Sequence, residues 1–190
     1  DLFAQHDVAI DTPTFKQQLS EEALLDIIDQ YDGVIAGDDP YTARVLQKGH
    51  RLKVVAKWGI GVDAIDLEAA KQLGIPVYNT PGAFSDEVAD VAIGYIVLLA
   101  RHLHTIDRCV RQGEWCKPLG LSLRGKTLGI IGVGNIGKAI ARRGQVMGME
   151  LLGYDVAPVD PHFCNEAGLQ QVLLNELLSE ADFIVLCCAL

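Results

Sequence analysis

Three glycines, Gly132, Gly134 and Gly137, stand in the spacing G-x-G-x-x-G between the apolar stretch "LGII" and a helical pattern. Between a strand and a helix, the first glycine permits a tight turn, and the second lets the backbone approach a pyrophosphate. The third lets the helix pack close to the strand. The helix N-terminus then offers free N–H groups and a partial positive charge to the phosphates. This stretch therefore predicts a dinucleotide-binding turn.

Asp155 is the acidic residue that such a turn requires. It ends the next apolar stretch, "LLGYD", and lies 18 residues after Gly137. A carboxylate there accepts hydrogen bonds from the adenosine ribose hydroxyls and repels a 2′-phosphate, which favours NAD over NADP. Arg142 and Arg143 do not alter this preference, because they fall on the helix. The competing interpretation is that Asp155 is an ordinary loop carboxylate.

Short apolar stretches alternate with helical patterns, which is typical of parallel sheets covered by helices. We predict an α/β fold of two Rossmann-like or flavodoxin-like parallel-sheet units joined near residue 84. Residues 1–83 form a partial substrate domain, and residues 84–190 form the first half of a dinucleotide-binding domain. Predicted strands occupy residues 7–10, 34–37, 52–57, 75–79, 126–132, 149–155, 169–172 and 182–190.

Two serines mark predicted helix starts. Ser20 precedes acidic residues and an apolar face, so it is expected to cap the helix that follows it. Ser85 is expected to cap a long helix that runs to Gly113. Between Val88 and Leu99 this helix is apolar on nearly every side, and such a helix is typically buried between layers.

The overall composition excludes several classes of function. The net charge of −9 argues against nucleic-acid binding, and no apolar stretch approaches the length of a membrane span. No signal peptide is visible, and we expect a cytoplasmic protein. The cysteine count of five is odd and no CxxC occurs, so reduced thiols are expected and neither a disulfide framework nor a metal site is indicated.

Several motifs in order resemble the D-isomer-specific 2-hydroxyacid dehydrogenases, the family that includes D-3-phosphoglycerate dehydrogenase. They are "KVVAKWGIGVDAIDLEAAKQLGIPVYNTPGAFSDEVADVAIGYIVLLAR", "RQGEW", "LRGKTLGIIGVGNIGKAIA", "GYD" and "ADFIVLCCAL". The resemblance covers essentially the whole chain. It implies an NAD-dependent oxidoreductase that transfers hydride between NAD and a small 2-hydroxy or 2-oxo acid.

The resemblance also implies substrate-binding residues. Backbone N–H groups of the "KWGIG" turn would bind the substrate carboxylate, which agrees with the anion nests that glycine-rich turns form. The competing interpretation is a turn whose glycines only permit positive φ. Phe84 stands where many members carry a substrate-contacting Asn, which leaves the identity of the substrate open. The implied set is Lys57, Trp58, Gly59, Ile60, Gly61 and Phe84.

Further residues are implied to contact the cofactor. Asn135 and Ile136 would present N–H groups to the pyrophosphate, and Thr80 would lie at a cleft between the domains. The terminal "CCAL" departs from the more common "HCPL", so Cys187 could alter the wall around a ribose. The implied set of cofactor contacts is Thr80, Gly132, Gly134, Asn135, Ile136, Gly137, Asp155 and Cys188.

The catalytic residues of the family, an Arg, a Glu and a His, are expected beyond residue 190. The chain begins without Met and stops inside an apolar stretch, so we expect a fragment that is inactive by itself. No catalytic residue is nominated within it, because no histidine lies in a motif with a paired carboxylate. The histidines considered are His6, His50, His102, His104 and His162.

Two other functions and one oligomeric state are also compatible with the sequence. The same fold serves as an NAD-sensing binding module in transcriptional corepressors, where the cofactor controls assembly. A different NAD enzyme, acting on a formate-like or phosphite-like anion, is a third possibility. The family resemblance also implies a homodimer built through the dinucleotide domain, with the helix that starts at Ser85 as the expected contact.

Overall fold

The chain folds into two compact units, Asp1–Pro81 and Gly82–Leu190. The computed structural model describes residues 2–14 and 17–188. Both units contain α-helices and parallel β-sheets, which confirms the predicted fold class.

The first unit is built on a parallel sheet in the order β1-β2-β3, with strands β1 (Gly33–Ala36), β2 (Val54–Lys57) and β3 (Val77–Tyr78). Ser20 caps the second helix as predicted, because its side chain accepts a hydrogen bond from the Ala23 N–H. The helices are α1 (Leu2–Gln5), α2 (Glu21–Ile27), the 3₁₀ turn Ile28–Gln30, α3 (Ala43–Lys48) and α4 (Leu67–Gln72).

The strand predicted at residues 7–10 does not form. Val8 and Ile10 are about half exposed, and the stretch has no regular secondary structure. A short apolar stretch becomes a strand only where a sheet edge pairs with it, and the sheet described for this unit contains β1, β2 and β3 alone. The apolar pattern predicted a strand at residues 7–10, but it could not show whether a neighbouring strand was available to pair with it.

The second unit is built on a parallel sheet in the order β6-β5-β4-β7. Its strands are β4 (Thr127–Ile131), β5 (Glu150–Tyr154), β6 (Leu169–Gln171) and β7 (Phe183–Leu186). Its helices are α5 (Ser85–Arg101), α6 (Leu103–Arg111), α7 (Asn135–Val146), α8 (Pro161–Ala167) and α9 (Leu174–Glu180). The core includes Ala89, Ile93, Ile96, Leu128, Ile130, Ile140, Leu151 and Phe163.

The predicted long helix is in fact two helices. Ser85 is the first residue of α5 and not its cap, and α5 ends where His102 takes a left-handed conformation with φ 54°. His is one of the non-glycine residues that enter this region more readily, and one such residue is enough to end a helix. Helix α6 then runs at 71° to α5. Hydrophobic periodicity cannot register a break at a single residue.

Burial of α5 is also one-sided, contrary to the prediction. Ala89 and Ile93 are buried, whereas Val91 and Tyr95 are more than half exposed. The buried side packs on α7, where the Arg143 side chain donates hydrogen bonds to acidic side chains of α5.

No single helix among the described residues is long and apolar enough to span a membrane. The bent pair α5 and α6 passes that criterion jointly, on length and composition only.

The expectation of five reduced cysteines is wrong for two of them. Cys109 and Cys116 form a disulfide, with Cα atoms 6.2 Å apart. After α6 the chain reverses at Gly113, whose φ is +79°, and the Glu114 N–H bonds the Cys109 carbonyl at 2.9 Å. The pairing depends on this reversal, which the cysteine spacing does not reveal. Cys164, Cys187 and Cys188 are free thiols.

Candidate functional site

The turn after β4 demands glycine at its first position. Gly132 has φ +93°, a conformation that side chains rarely adopt, and a Cβ there would lie 2.5 Å from the Cys188 nitrogen. The end of β7 therefore lies directly against this turn. Cys188, the predicted cofactor contact, is exposed beside it. Burial chiefly, and the neighbouring Cys188 as well, raise the pKa of the Cys187 thiol.

The other two glycines of the motif differ sharply from each other. A Cβ on Gly137 would lie 2.2 Å from the Gly132 carbonyl oxygen, so only glycine lets α7 cross this close to the turn. A Cβ on Gly134 would meet no described atom within 4 Å. The first and third glycines are thus required by packing, while the second leaves the backbone open to approach from outside.

Helix α7 begins at Asn135 directly after this open position. Gly134 is its N-cap and provides no capping side chain. The first N–H groups of a helix have no intrahelical partner, so those of Asn135 and Ile136 remain available to a ligand. A helix of 12 residues also carries a partial positive charge at this end. The arrangement suits a phosphate group.

Asp155 lies at the end of β5, next to this turn. Its Oδ2 accepts the Val133 N–H at 2.8 Å, and its Oδ1 accepts the Ala157 N–H at 3.2 Å. The hydrogen bond from Ala157, and then that from Val133, lower the pKa of the Asp155 carboxyl. The group is therefore a fixed, ionised acceptor, and each oxygen keeps a lone pair for a ribose hydroxyl.

These features together fit a dinucleotide. The carboxyl ends of β4 and β5 are adjacent in the sheet, and they bring the three glycines, the start of α7 and Asp155 to one place. The steric demand at Gly132 and Gly137, the open face at Gly134 and the ionised Asp155 match the parts that NAD requires. Thr80, which is also predicted to contact the cofactor, belongs to the first unit.

The turn after β2 in the first unit has a different construction. The Trp58 N–H donates to the Ala36 carbonyl at 2.9 Å, and the Gly59 N–H donates to Thr80 Oγ1 at 3.1 Å. These two amides were expected to bind substrate, but internal acceptors already satisfy them. Within the described residues, the N–H groups of Ile60 and Gly61 have no hydrogen-bond partner. Half of the predicted nest is therefore open.

Lys57 lies beside that turn and is buried, with 6% of its surface exposed. Its Nζ donates to the Gly37 carbonyl and to Asp38 Oδ1, both at 2.6 Å, which leaves one of its three hydrogens. Sequence reasoning missed Asp38. The available signal was its place after β1: Ala36 pairs with Lys57, so residues following β1 and β2 meet at one sheet edge.

Phe84 is the remaining position predicted to bind substrate. Phe84 lies in the second unit, directly before α5, and 37% of it is exposed.

Among the described residues, no group of three or more His, Cys, Asp or Glu side chains could hold a metal ion. In the same part of the chain, no histidine side chain forms an ion pair with a carboxylate.

The family follows from comparison with known proteins. Residues 93–190 match the model of the D-isomer specific 2-hydroxyacid dehydrogenase, NAD binding domain. The chain belongs to this family. The matched residues include the turn after β4 and Asp155, so the predicted NAD-binding fold is confirmed for the second unit.

Two relatives and one solved structure show the extent of the similarity. The chain is 39% identical over 173 residues to hydroxypyruvate reductase of Thermotoga maritima, covering 90% of this chain and 55% of that protein. It is 40% identical over 172 residues to D-3-phosphoglycerate dehydrogenase of Homo sapiens, covering 89% and 32%. A crystal structure of a protein from Thermus thermophilus superposes with a TM-score of 0.87 at 31% identity, covering 100% and 60%.

The chain thus spans about half the length of the reductase and about a third of the human dehydrogenase. The corepressor alternative gains no support from these comparisons.

Proposed function

We propose that the protein containing this chain is an NAD-dependent oxidoreductase that acts on the CH–OH group of a small D-2-hydroxy acid. The observation that carries the proposal is the turn after β4. Its first and third glycines have no room for a Cβ, its second faces open space, and the ionised Asp155 lies beside it. The names of the relatives, a hydroxypyruvate reductase and a phosphoglycerate dehydrogenase, support the substrate class.

The second unit would hold the cofactor. The backbone from Gly132 to Gly137 and the N–H groups that open α7 would bind the pyrophosphate. Asp155 would accept the adenosine ribose hydroxyls, and the exposed Cys188 would line the same region. Bound NAD supplies the hydride acceptor or donor, while the protein supplies binding and orientation.

The first unit would bind the acid. The open N–H groups of Ile60 and Gly61 suit a carboxylate, and the Lys57 ammonium, which is paired with Asp38, would donate its remaining hydrogen to the same carboxylate. Thr80 would act here by fixing the turn, since its Oγ1 accepts the Gly59 N–H and donates to the Gly59 carbonyl. Its predicted contact with NAD remains part of the proposal.

Proton transfer would need a group that the described residues do not show. Reduction of a 2-oxo acid adds hydride to carbon and a proton to oxygen. None of the imidazoles in the described part of the chain is paired with a carboxylate that would orient it. We therefore propose that the 190-residue chain binds NAD without turning over substrate, and that the catalytic Arg, Glu and His lie in further sequence.

We also propose that the full-length protein is a homodimer formed through the second unit. The exposed apolar side of α5, with Val91 and Tyr95, supports this contact, because apolar surface of this kind is typical of subunit interfaces. Sedimentation analysis of the full-length protein would test the dimer. A monomer at all accessible concentrations would contradict it.

The central experiment compares NADH and NADPH binding by fluorescence titration. We expect NADH to bind at least about tenfold more tightly, because Asp155 repels a 2′-phosphate. Asp155→Asn should reduce that preference, whereas Glu150→Gln, which removes a charge at the other end of β5, should leave it unchanged. Equal affinities for both dinucleotides in the unmodified protein would contradict the proposal.

Substrate class is then tested on the full-length protein. NADH oxidation is measured with hydroxypyruvate, glyoxylate and 2-oxoglutarate, and NAD reduction is measured with formate and phosphite. Turnover confined to 2-oxo acids supports the proposal, and turnover confined to formate or phosphite would replace it with the third alternative.

A further inference from the structure

Gln171 at the end of the edge strand β6 makes an unusual pair of contacts for an exposed side chain. Its Oε1 accepts the Val159 N–H at 2.9 Å, and its Nε2 donates to the Ala157 carbonyl at 3.1 Å. Both ends of the amide therefore bind the backbone of one short loop, the segment 156–160 between β5 and α8. A two-point contact of this kind fixes both the distance and the orientation of the loop.

That loop carries the amide that holds Asp155. The Ala157 N–H donates to Asp155 Oδ1 at 3.2 Å, while the other oxygen of the same carboxylate accepts the Val133 N–H at 2.8 Å. Ala157 thus binds Gln171 through its carbonyl and Asp155 through its N–H. A continuous series of hydrogen bonds runs from the edge strand, through the loop and Asp155, to the glycine turn.

Few other contacts hold the loop at that point, and one of them is the interaction of the Val156 backbone N–H with the Asp155 carboxylate. Val159 is buried in the core, but Val156, Ala157 and Pro158 are exposed. Within the described residues, the hydrogen bonds of Ala157 go to Asp155 and Gln171 alone. Within the described residues, Gln171 is therefore the only hydrogen-bond partner of Ala157 that lies outside the loop and its neighbour Asp155.

We propose that Gln171 is a positioning residue for the adenosine end of the cofactor. It holds the loop 156–160 so that the Ala157 N–H keeps the Asp155 carboxylate in place for the ribose hydroxyls. Gln171 itself need not touch the cofactor. This inference rests on the proposed function, since it assigns a role within the same binding site.

The neighbouring Gln170 provides a matched control. It lies on the same strand and is also exposed, but successive side chains of a strand point to opposite faces. Its side chain makes no hydrogen bond to any described residue. A substitution there changes the same chemistry on the same strand without touching the loop.

The test compares Gln171→Met with Gln170→Met in the full-length protein. Met keeps the length of the side chain and removes both hydrogen bonds. We expect Gln171→Met to weaken binding of NADH and of ADP-ribose by about tenfold, the loss typical of one or two oriented hydrogen bonds. Binding of reduced nicotinamide mononucleotide, which lacks the adenosine half, and kcat at saturating NADH should be unchanged. Gln170→Met should match the unmodified protein.

A double-mutant comparison separates positioning from general destabilisation. If Gln171 acts through Asp155, then Gln171→Met combined with Asp155→Ala, which removes the side-chain oxygens, should bind NADH no more weakly than Asp155→Ala does. Where Gln171→Met fails to fold, Gln171→Glu keeps the acceptor for the Val159 N–H, and it should show a loss in the same direction.

The outcomes are distinguishable. An unmodified protein that binds no NADH would overturn the proposed function and this inference with it. Binding by the unmodified protein, together with equal affinities for Gln171→Met and Gln170→Met, would overturn the inference alone. Additive losses in the double mutant would also overturn it, because Gln171 would then act independently of Asp155.

Discussion

The turn after β2 and the turn after β4 both leave a parallel strand through glycine, but they use glycine for different reasons. In the second unit, a Cβ on Gly132 or Gly137 would overlap backbone atoms at 2.5 and 2.2 Å. In the first unit, Gly59 has φ +140°, and its nearest neighbour would be Lys57 Cε at 3.4 Å. The first turn therefore needs the conformation that glycine permits, and the second also needs the space it leaves.

The two turns also differ in what fixes them. A neutral hydroxyl, Thr80 Oγ1, accepts the Gly59 N–H in the first turn. An ionised carboxylate, Asp155, accepts the Val133 N–H in the second. A glycine motif is therefore most informative where packing excludes every other residue, because its spacing then follows from the path of the backbone.

The largest expected effect is that of Gly137→Ala. The added Cβ would lie 2.2 Å from the Gly132 carbonyl oxygen, so α7 must move away from the turn. We expect the free energy of unfolding to fall by about 3 kcal/mol, measured by urea denaturation. Gly94→Ala, in α5 with no described atom within 4 Å, is the control and should be neutral or slightly stabilising. Equal effects at the two positions would contradict the packing argument.

Gly134→Ala should separate binding from stability. No described atom lies within 4 Å of the added Cβ, so the free energy of unfolding should change by less than about 1 kcal/mol. The same methyl group would fill the open space in which the pyrophosphate is expected to bind. NADH affinity should therefore fall at least about tenfold. NADH titration and urea denaturation of one preparation check both statements. Unchanged affinity would show that the second glycine does not face the cofactor.

Gly59→Ala tests the conformational requirement in the first turn. A residue with a Cβ is strained at φ +140°, so the free energy of unfolding should fall by about 1 kcal/mol. Gly61→Ala is the matched control, since its φ lies outside the left-handed region and its nearest atom, Asp63 Oδ2 at 3.2 Å, belongs to an exposed side chain. Thermal unfolding of both variants measures the two losses of stability. A larger loss for Gly61→Ala than for Gly59→Ala would contradict the conformational requirement at Gly59.

The smallest expected effect is a difference in pH dependence. Hydrogen bonds from Ala157 and Val133 lower the pKa of Asp155 in the folded protein. Its contribution to stability is therefore present above the unfolded aspartate pKa of about 3.9 and is lost as the pH falls through the lower folded value. The Tm difference between the unmodified protein and Asp155→Asn should shrink in that range.

Thr80→Val provides the contrast from the first turn. Its hydroxyl does not titrate, so the Tm difference that this variant causes should stay constant from about pH 7 to below about pH 4. Thermal unfolding across that range measures both series. A constant difference for Asp155→Asn as well would show that the carboxylate makes no charge-dependent contribution.

The sequence by itself determined the α/β alternation, the strand that leads into the glycines, and Asp155 at the end of the next strand. These features are local, because the hydrophobic period, the turn residues and the separation between the glycine turn and Asp155 can all be read from neighbouring residues in the sequence. The Ser20 cap was predictable for the same reason, because its hydrogen bond spans three residues.

Only the tertiary structure decided features that depend on residues distant in sequence or on a single backbone angle. The predicted strand at residues 7–10 lacked a partner, and the long helix ended at the left-handed His102. The Cys109–Cys116 disulfide needed a chain reversal to form. The ion pair of Asp38 with Lys57 and the contacts of Gln171 with the loop after Asp155 join different strands. Chain folding creates such contacts, and no local pattern encodes them.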